Sequence, residues 1–292
     1  MSGTVVAAAS GIGFGLFQTL NIRAVRGMDP FASTFLQIAV AAVALLAASV
    51  ISGGMAEVGS APGSALLWFA AAGVLHFVAG WTLLNVSQKR IGASRTSPLL
   101  TTVPLFGIAI AAVTVGQLPH AVELPAIALI VLGAYVVVSR GAGGRPTRLP
   151  DALPALCCAL CWALSPALTV RGLEDLADPL LGLTLGLVVS VLGYAVAFAL
   201  WRRDLGLRTA GREALAIKLL AGVLVALSTW GRWAALDSTT VAVVLALNLL
   251  SIPVVLVASP LTAGRHVEHV TLRVWAGAAL VVAGSLLLIL TA

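Results

Sequence analysis

Gly73-Val74-Leu75-His76-Phe77-Val78-Ala79-Gly80-Trp81 and Gly222-Val223-Leu224-Val225-Ala226-Leu227-Ser228-Thr229-Trp230 decide the reading of this chain. Both are apolar runs that open Gly-Val-Leu and close on Trp, and they stand 149 residues apart. Asp29-Pro30 and Asp178-Pro179 keep the same spacing, as do Val103-Pro104 and Ile252-Pro253. The first helix follows at 145: Arg26-Gly27 matches Arg171-Gly172, and Phe17 matches Trp162. Ala, Leu, Val and Gly dominate here, so coincidences among them weigh little. Trp and Pro are scarcer, and their shared offset makes the chain a sequence in two related halves.

The residues around these stretches belong in lipid. The 292 residues are 60% apolar and 10% charged, with a mean hydropathy of +1.07. A soluble domain carries roughly 25% charge and 45–50% apolar residues, so a water-soluble enzyme is excluded. Disorder and a disulfide scaffold fail on the same numbers. A bilayer core needs roughly 20 apolar residues per helix. Ten such stretches are laid down at about 4–22, 31–52, 64–87, 96–115, 123–139, 152–170, 179–201, 214–231, 238–259 and 272–291. The runs are continuous rather than alternating, which disfavours a β-barrel. The expected fold is an all-α membrane protein of ten transmembrane helices, built from two inverted five-helix repeats. Residues 1–140 form the first repeat, 141–151 a basic Gly/Pro linker, and 152–292 the second. An odd number of spans per repeat inserts the halves in opposite orientation, a transporter design with its binding site near the midplane.

The net charge of +6 and pI near 10 would suggest nucleic acid in a soluble protein. Here the cations fall in the gaps between spans, so no nucleic-acid partner is expected. Fifteen Lys and Arg, counting Lys218 just inside the eighth span, lie on one side, against Arg171 and Arg232 on the other. The positive-inside rule then sets both termini outside the cytoplasm. The N-terminus has no basic residue before Ile12 and is read as a retained first span rather than a signal peptide.

Three local patterns carry a resemblance. They are Asn21-Ile-Arg-Ala-Val-Arg-Gly-Met-Asp-Pro30, then Trp162-Ala-Leu-Ser165-Pro166 leading to Arg171-Gly172, and Gly92-Ala-Ser-Arg-Thr-Ser-Pro98-Leu-Leu-Thr-Thr-Val-Pro104. With the two five-helix repeats, they resemble the drug/metabolite transporter (DMT) superfamily, EamA type, over essentially the whole chain. Two features depart from that pattern. Gly116-Gln117 and Ala258-Ser259-Pro260 stand where the family ends its fourth and ninth helices with Gly-Glu or a similar acidic pair. The resemblance also implies termini inside the cytoplasm, opposite to the charge count, so orientation stays open with the charge rule preferred.

Polar groups within spans are costly and mark candidate sites. None of the eleven Asp or Glu residues falls in the middle of a span, so a buried carboxylate is not the expected proton carrier. His76 sits at the centre of the third span. It either binds substrate or couples transport to protons, or it stays neutral and bonds a neighbouring helix. Gln18 and Asn21 share a helix face, as do Ser165 and Thr169. The resemblance places Gln18, His76, Trp81, Ser165, Thr169, Trp230 and Asn248 at or near the pathway. For Ser and Thr the competing reading is helix–helix hydrogen bonding. Trp81 and Trp230, equivalent in the repeat, form an aromatic clamp or anchor helices at the interface. Pro104 and Pro253, with Pro98 and Pro166, fall inside spans, where proline frees a backbone carbonyl. Pro104 and Pro253 are the candidate gating residues. Gly133, Gly277 and Gly284 suit close packing of the fifth and tenth spans. Arg232 pairs with Asp237 or snorkels to headgroups. Cys157, Cys158 and Cys161 read as small packing residues, with no metal site expected.

The function expected is a secondary-active transporter, exporter or exchanger, of a small organic metabolite such as an amino acid. Multidrug or lipophilic export, and a channel-like facilitator, are the alternatives. No Gly-x-x-x-x-Gly-Lys-Ser/Thr loop occurs, which disfavours ATP-driven pumping. An enzyme is not expected, since Ser94 reads as a loop residue about 27 Å of helical rise from His76. No cofactor is expected. The partners are the small-molecule substrate and the lipid bilayer, with a homodimer left open. The location expected is the inner (plasma) membrane of a bacterial or archaeal cell, as a multi-pass protein.

Overall fold

Two aspartates show how locally the helices are started. Asp29 precedes Pro30, and its Oδ1 accepts from the backbone N–H of Phe31 (3.0 Å) and Ala32 (3.3 Å). Asp178 does the same before Pro179, accepting from Leu180 (2.9 Å) and Leu181 (3.0 Å). Each carboxylate satisfies N–H groups that have no partner inside the helix, and each proline sits where no N–H is needed. The Asp-Pro pairs singled out by spacing are therefore helix caps.

A computed structural model describes residues 3–115, 120–138, 148–201, 211–236, 241–264, 268 and 270–291. Its long elements are helices: α1 (Gly3–Arg26), α2 (Pro30–Ser52), α3 (Gly63–Gly73), α4 (Trp81–Ile91), α5 (Ala93–Leu100), α6 (Val103–Val115), α7 (Leu124–Val138), α8 (Leu149–Asp175), α9 (Pro179–Trp201), α10 (Arg212–Leu236), α11 (Val241–Asn248), α12 (Ser251–Thr262) and α13 (Leu272–Thr291). A π-helical segment, Val74–Gly80, joins α3 to α4 without a break. Among the described residues, seven helices are long and apolar enough to cross a bilayer: Gly3–Arg26, Pro30–Ser52, Gly63–Ile91, Leu149–Asp175, Pro179–Leu200, Arg212–Ala235 and Leu272–Leu290. The chain is a multi-pass integral membrane protein.

Two expected spans are not single helices. The span 96–115 is α5 and α6, separated at Thr101–Thr102, and 238–259 is α11 and α12, separated at Leu249–Leu250. Pro104 and Pro253 stand in the first turns after these breaks. A missing N–H costs nothing there, so they flank the breaks rather than kink a continuous helix. The expected linker begins α8 early, at Leu149, while residues 141–147 lie outside the described residues, as do Gly116-Gln117 and Asp237.

α1 and α10 run antiparallel at the centre. Arg23 pairs with Glu213 near one end, and Ser10 donates to the Ser228 carbonyl further along. α1 also lies along α11 and α12, where a Cβ on Gly11 would come within 2.4 Å of the Leu247 carbonyl oxygen. α7 and α13 meet through Gly133 and Gly277. A Cβ on Gly133 would lie 2.7 Å from the Gly277 carbonyl, and one on Gly284 2.8 Å from that of Ala126. These glycines let backbones touch, the packing a membrane interior favours where no hydrophobic drive brings helices together. A large core of Phe14, Phe17, Phe77, Trp81, Leu84, Trp162, Leu187 and their neighbours joins α1, α2, α4, α8, α9 and α10.

Candidate functional site

The third span widens where its histidine lies. In the π segment the Trp81 N–H reaches back to the His76 carbonyl, one residue further than in an α-helix. Such insertions cluster at functional positions. His76 Nδ1 lies 2.8 Å from Ser165 Oγ on α8. Its ring stacks on Trp162 at 5.4 Å and 17°, and meets the edge of Phe77 at 4.9 Å. Trp162 Nε1 donates to the His76 carbonyl at 3.4 Å. Gly80 makes room for that indole, since a Cβ there would be 2.5 Å from Nε1. Thr169, one turn beyond Ser165, lines a cavity of about 10 Å³ beside His76, with Gly73, Phe77, Gly186 and Trp233. That volume is about one water probe, and His76 itself is half-buried beside it.

An aromatic layer follows. Phe77 packs on Trp81 at 4.8 Å, and Phe14 bridges Phe17 (5.5 Å) and Trp162 (5.7 Å). Trp81 is 1% exposed and part of the core. Trp230 is 41% exposed and lines an open vestibule of about 460 Å³ with Gly54, Glu57, Asp178 and Leu180. The two indoles of the expected clamp are therefore not brought together. Each is committed to a different layer, because the Trp81 side of α4 faces α2 and α8 while the end of α10 faces the vestibule. Asn248 closes α11, with its backbone against Gly11.

Beyond the aromatic layer, toward the end marked by Arg23 and Lys89, lies a group of amides around one ammonium. Lys218 on α10 is 0% exposed. It donates to Asn21 Oδ1, to Gln37 Oε1 (2.7 Å) and to Asn85 Oδ1 (3.4 Å). Asn21 Nδ2 donates to Asn85 Oδ1 (2.8 Å) and Gln88 Oε1 (2.7 Å). Asn85 Nδ2 reaches Thr34 Oγ1 (2.9 Å) and the Trp81 carbonyl (3.0 Å). Gln88 continues to Gln18 (3.4 Å), and Gln18 to Ser97 Oγ (3.4 Å). Gln18 and Asn21 thus belong to this cluster and not to the His76 pair, which holds Ser165 and Thr169.

Lys218 belongs to the basic side by its place in the sequence, but its side chain is buried in the bundle. Six residues into α10, it turns inward where its neighbours Leu219 and Leu220 are exposed on the apolar outer face. Thr34, Gln37, Asn85 and Gln88 did not emerge from the sequence as site residues. A signal for them exists: three helices each carry a polar pair at a spacing of three, Gln18/Asn21, Thr34/Gln37 and Asn85/Gln88, and each pair shares a face.

Ser94 also differs from its expected loop setting. It opens α5, fully buried, and bonds Ser259 Oγ (2.7 Å) and Glu268. Glu268, 2% exposed, also accepts from the backbone N–H of Ala93 (2.7 Å) and Ser94 (3.2 Å). This carboxylate caps α5 and ties it to α12, and Gly92, with φ of 83°, gives it room. Ser94 and His76 have separate partners and form no dyad. Among the described residues no three His, Cys, Asp or Glu gather as metal ligands, and the cysteines are free.

No curated protein matches the chain significantly. A solved structure, described as "Crystal structure of protein", is 19% identical with a TM-score of 0.58, covering 96% of this chain and 95% of that one; the likeness is one of fold. Residues 1–139, which carry His76, Trp81, Gln18 and most of the amide cluster, match the EamA-like transporter family. That match, over just under half of the chain, supports membership of the drug/metabolite transporter superfamily.

Proposed function

We propose that the protein is a secondary-active carrier that exports or exchanges a small organic metabolite, such as an amino acid, by alternating access. Its place is the inner (plasma) membrane of a bacterial or archaeal cell, with the Arg23 and Lys89 end toward the cytoplasm. In this reading the seven long helices are joined by α5–α6, α7 and α11–α12 to make ten crossings, in two inverted repeats over 1–140 and 152–292. The matched caps at Asp29 and Asp178 and the paired breaks before α6 and α12 support it.

The observation that carries the proposal is an asymmetric path. A vestibule of about 460 Å³ opens at one end, the buried Lys218 amides fill the bundle toward the other, and the His76–Ser165 pair lies between them. A carrier needs one open side, one closed side and a polar station between; a channel needs no occlusion.

Counterflow in proteoliposomes tests it: preloaded unlabelled amino acid drives uptake of labelled amino acid through a carrier, not through a channel or an enzyme. His76→Ala removes the Ser165 bond and the ring stacked on Trp162, and about tenfold slower counterflow is expected, equivalent to ~1.4 kcal/mol. Unchanged counterflow in His76→Ala would remove His76 from the pathway. Flux of amino acids without counterflow would favour a facilitator, and exchange of lipophilic dyes alone would move the substrate class to multidrug export.

A further inference from the structure

We propose that Lys218 and Gln37 form a second station on the path, a subsite for a carboxylate carried by the transported molecule. The reading of its role rests on the carrier function; its existence does not. Lys218 is an ammonium buried between α1, α2, α4 and α10, and no carboxylate among the described residues lies within ion-pair distance of it. Its three protons meet only neutral amide oxygens, those of Asn21, Gln37 and Asn85. A buried charge is normally paired with its opposite. Here the cluster offers one uncompensated positive charge.

The second observation is independent of that charge. Gln37 Nε2 is fully buried and has no acceptor among the described residues. Turning the amide over would aim its N–H₂ at the ammonium, so the orientation is set by Lys218. The cluster thus presents a charged donor and, on the amide that holds it, an unsatisfied neutral donor. Two oxygens of one carboxylate answer both, whereas a neutral amide would leave the charge uncompensated. Asn21 and Asn85 add further N–H donors beside them.

In the closed state the amides of α1, α2 and α4 hold the ammonium of α10, and so close this end of the path. An arriving carboxylate takes the ammonium in their place and frees α10 from them. Binding of the anion and opening toward the basic end are then one event. His76 is about nine residues before Asn85, roughly 13 Å of helical rise, so this station is separate from the His76–Ser165 pair.

The sequence holds two lysines, Lys89 and Lys218. Lys89 donates to the Met28 carbonyl at 2.6 Å, a bond Arg can also make. In full-length Lys89→Arg protein labelled with ¹³C at the lysine ε-carbon, Lys218 is the one lysine signal. Titration with acetate, benzoate and L-leucine is expected to move that signal saturably, while acetamide, benzamide and L-leucinamide leave it in place. Gln37→Leu is expected to weaken the carboxylate response about tenfold. A signal that no carboxylate moves, or that the amides move equally, overturns the proposal. Counterflow with a silent Lys218 would keep the carrier and lose this station; a responding Lys218 without counterflow would do the reverse.

Discussion

Asn85→Leu is expected to cost about 3–5 kcal/mol of stability, the range for stripping a partner from a buried charge. Asn85 Oδ1 accepts from Lys218, Asn21 and Ser33, and its Nδ2 reaches Thr34, Gln37 and the Trp81 carbonyl. Leucine fills similar space but offers none of these. An interhelical hydrogen bond in a membrane averages only about 0.6 kcal/mol, and a group of this many contacts reaches the same range independently. Gln88→Leu, at the edge of the cluster with bonds to Asn21 and Gln18, is expected to cost about 1 kcal/mol. The sign of a double variant discriminates further. Asn85→Leu with Lys218→Met removes the charge and should recover part of the loss, because an apolar replacement of both partners is cheaper than one orphaned partner. Denaturant unfolding in detergent micelles measures all three. A loss below 1 kcal/mol for Asn85→Leu, or a double variant worse than the single, would show that the ammonium does not depend on this amide.

Gly73→Ala is expected to destabilise by about 1–2 kcal/mol, against the usual preference of helices for alanine. That preference alone would favour the variant by about 1 kcal/mol. The new Cβ, however, would lie 2.3 Å from the Gly186 carbonyl oxygen and 2.6 Å from its Cα. Both are backbone atoms, so α3 and α9 must part, and overpacking of this kind costs about 1–3 kcal/mol, occasionally more. The clash therefore wins. At Gly186 the nearest atom to a new Cβ is the Phe69 carbonyl oxygen at 3.1 Å, with Gly73 Cα at 3.3 Å. A shift of a few tenths of an ångström relieves that, so Gly186→Ala is expected to be near neutral. Because both glycines border the cavity beside His76, Gly73→Ala should slow counterflow along with its loss of stability. Equal melting temperatures for the two variants would contradict this asymmetry.

The match between residues and site was uneven, and the unevenness has a pattern. His76, Ser165 and Thr169 were recognisable from depth in the span and face-sharing, and the structure brings these three together. Gln18 and Asn21 are recognisable as polar and in-span, yet they join a cluster centred on a lysine that the charge count places with the basic side, just inside its span. A lysine six residues inside a helix end can snorkel outward or turn inward. The linear distance to the end is the same in both cases, and only the facing helices decide. Trp81 and Trp230 show the converse: equivalent places in the sequence, but one indole in the core and the other at the vestibule.

The sequence by itself determined the environment and the starts of α2 and α9. Those follow from quantities local to the chain: apolar run length against bilayer thickness, and an Asp-Pro cap. Only the tertiary structure decided which polar groups meet, where the broken helices turn and which of the two indoles is buried. Those depend on rotation about each helix axis and on glycine-permitted contact between helices, and neither is encoded in the spacing along a single strand of sequence. Lys218 is the clearest instance, for its burial is set by amides contributed from α1, α2 and α4, all more than a hundred residues away in the chain.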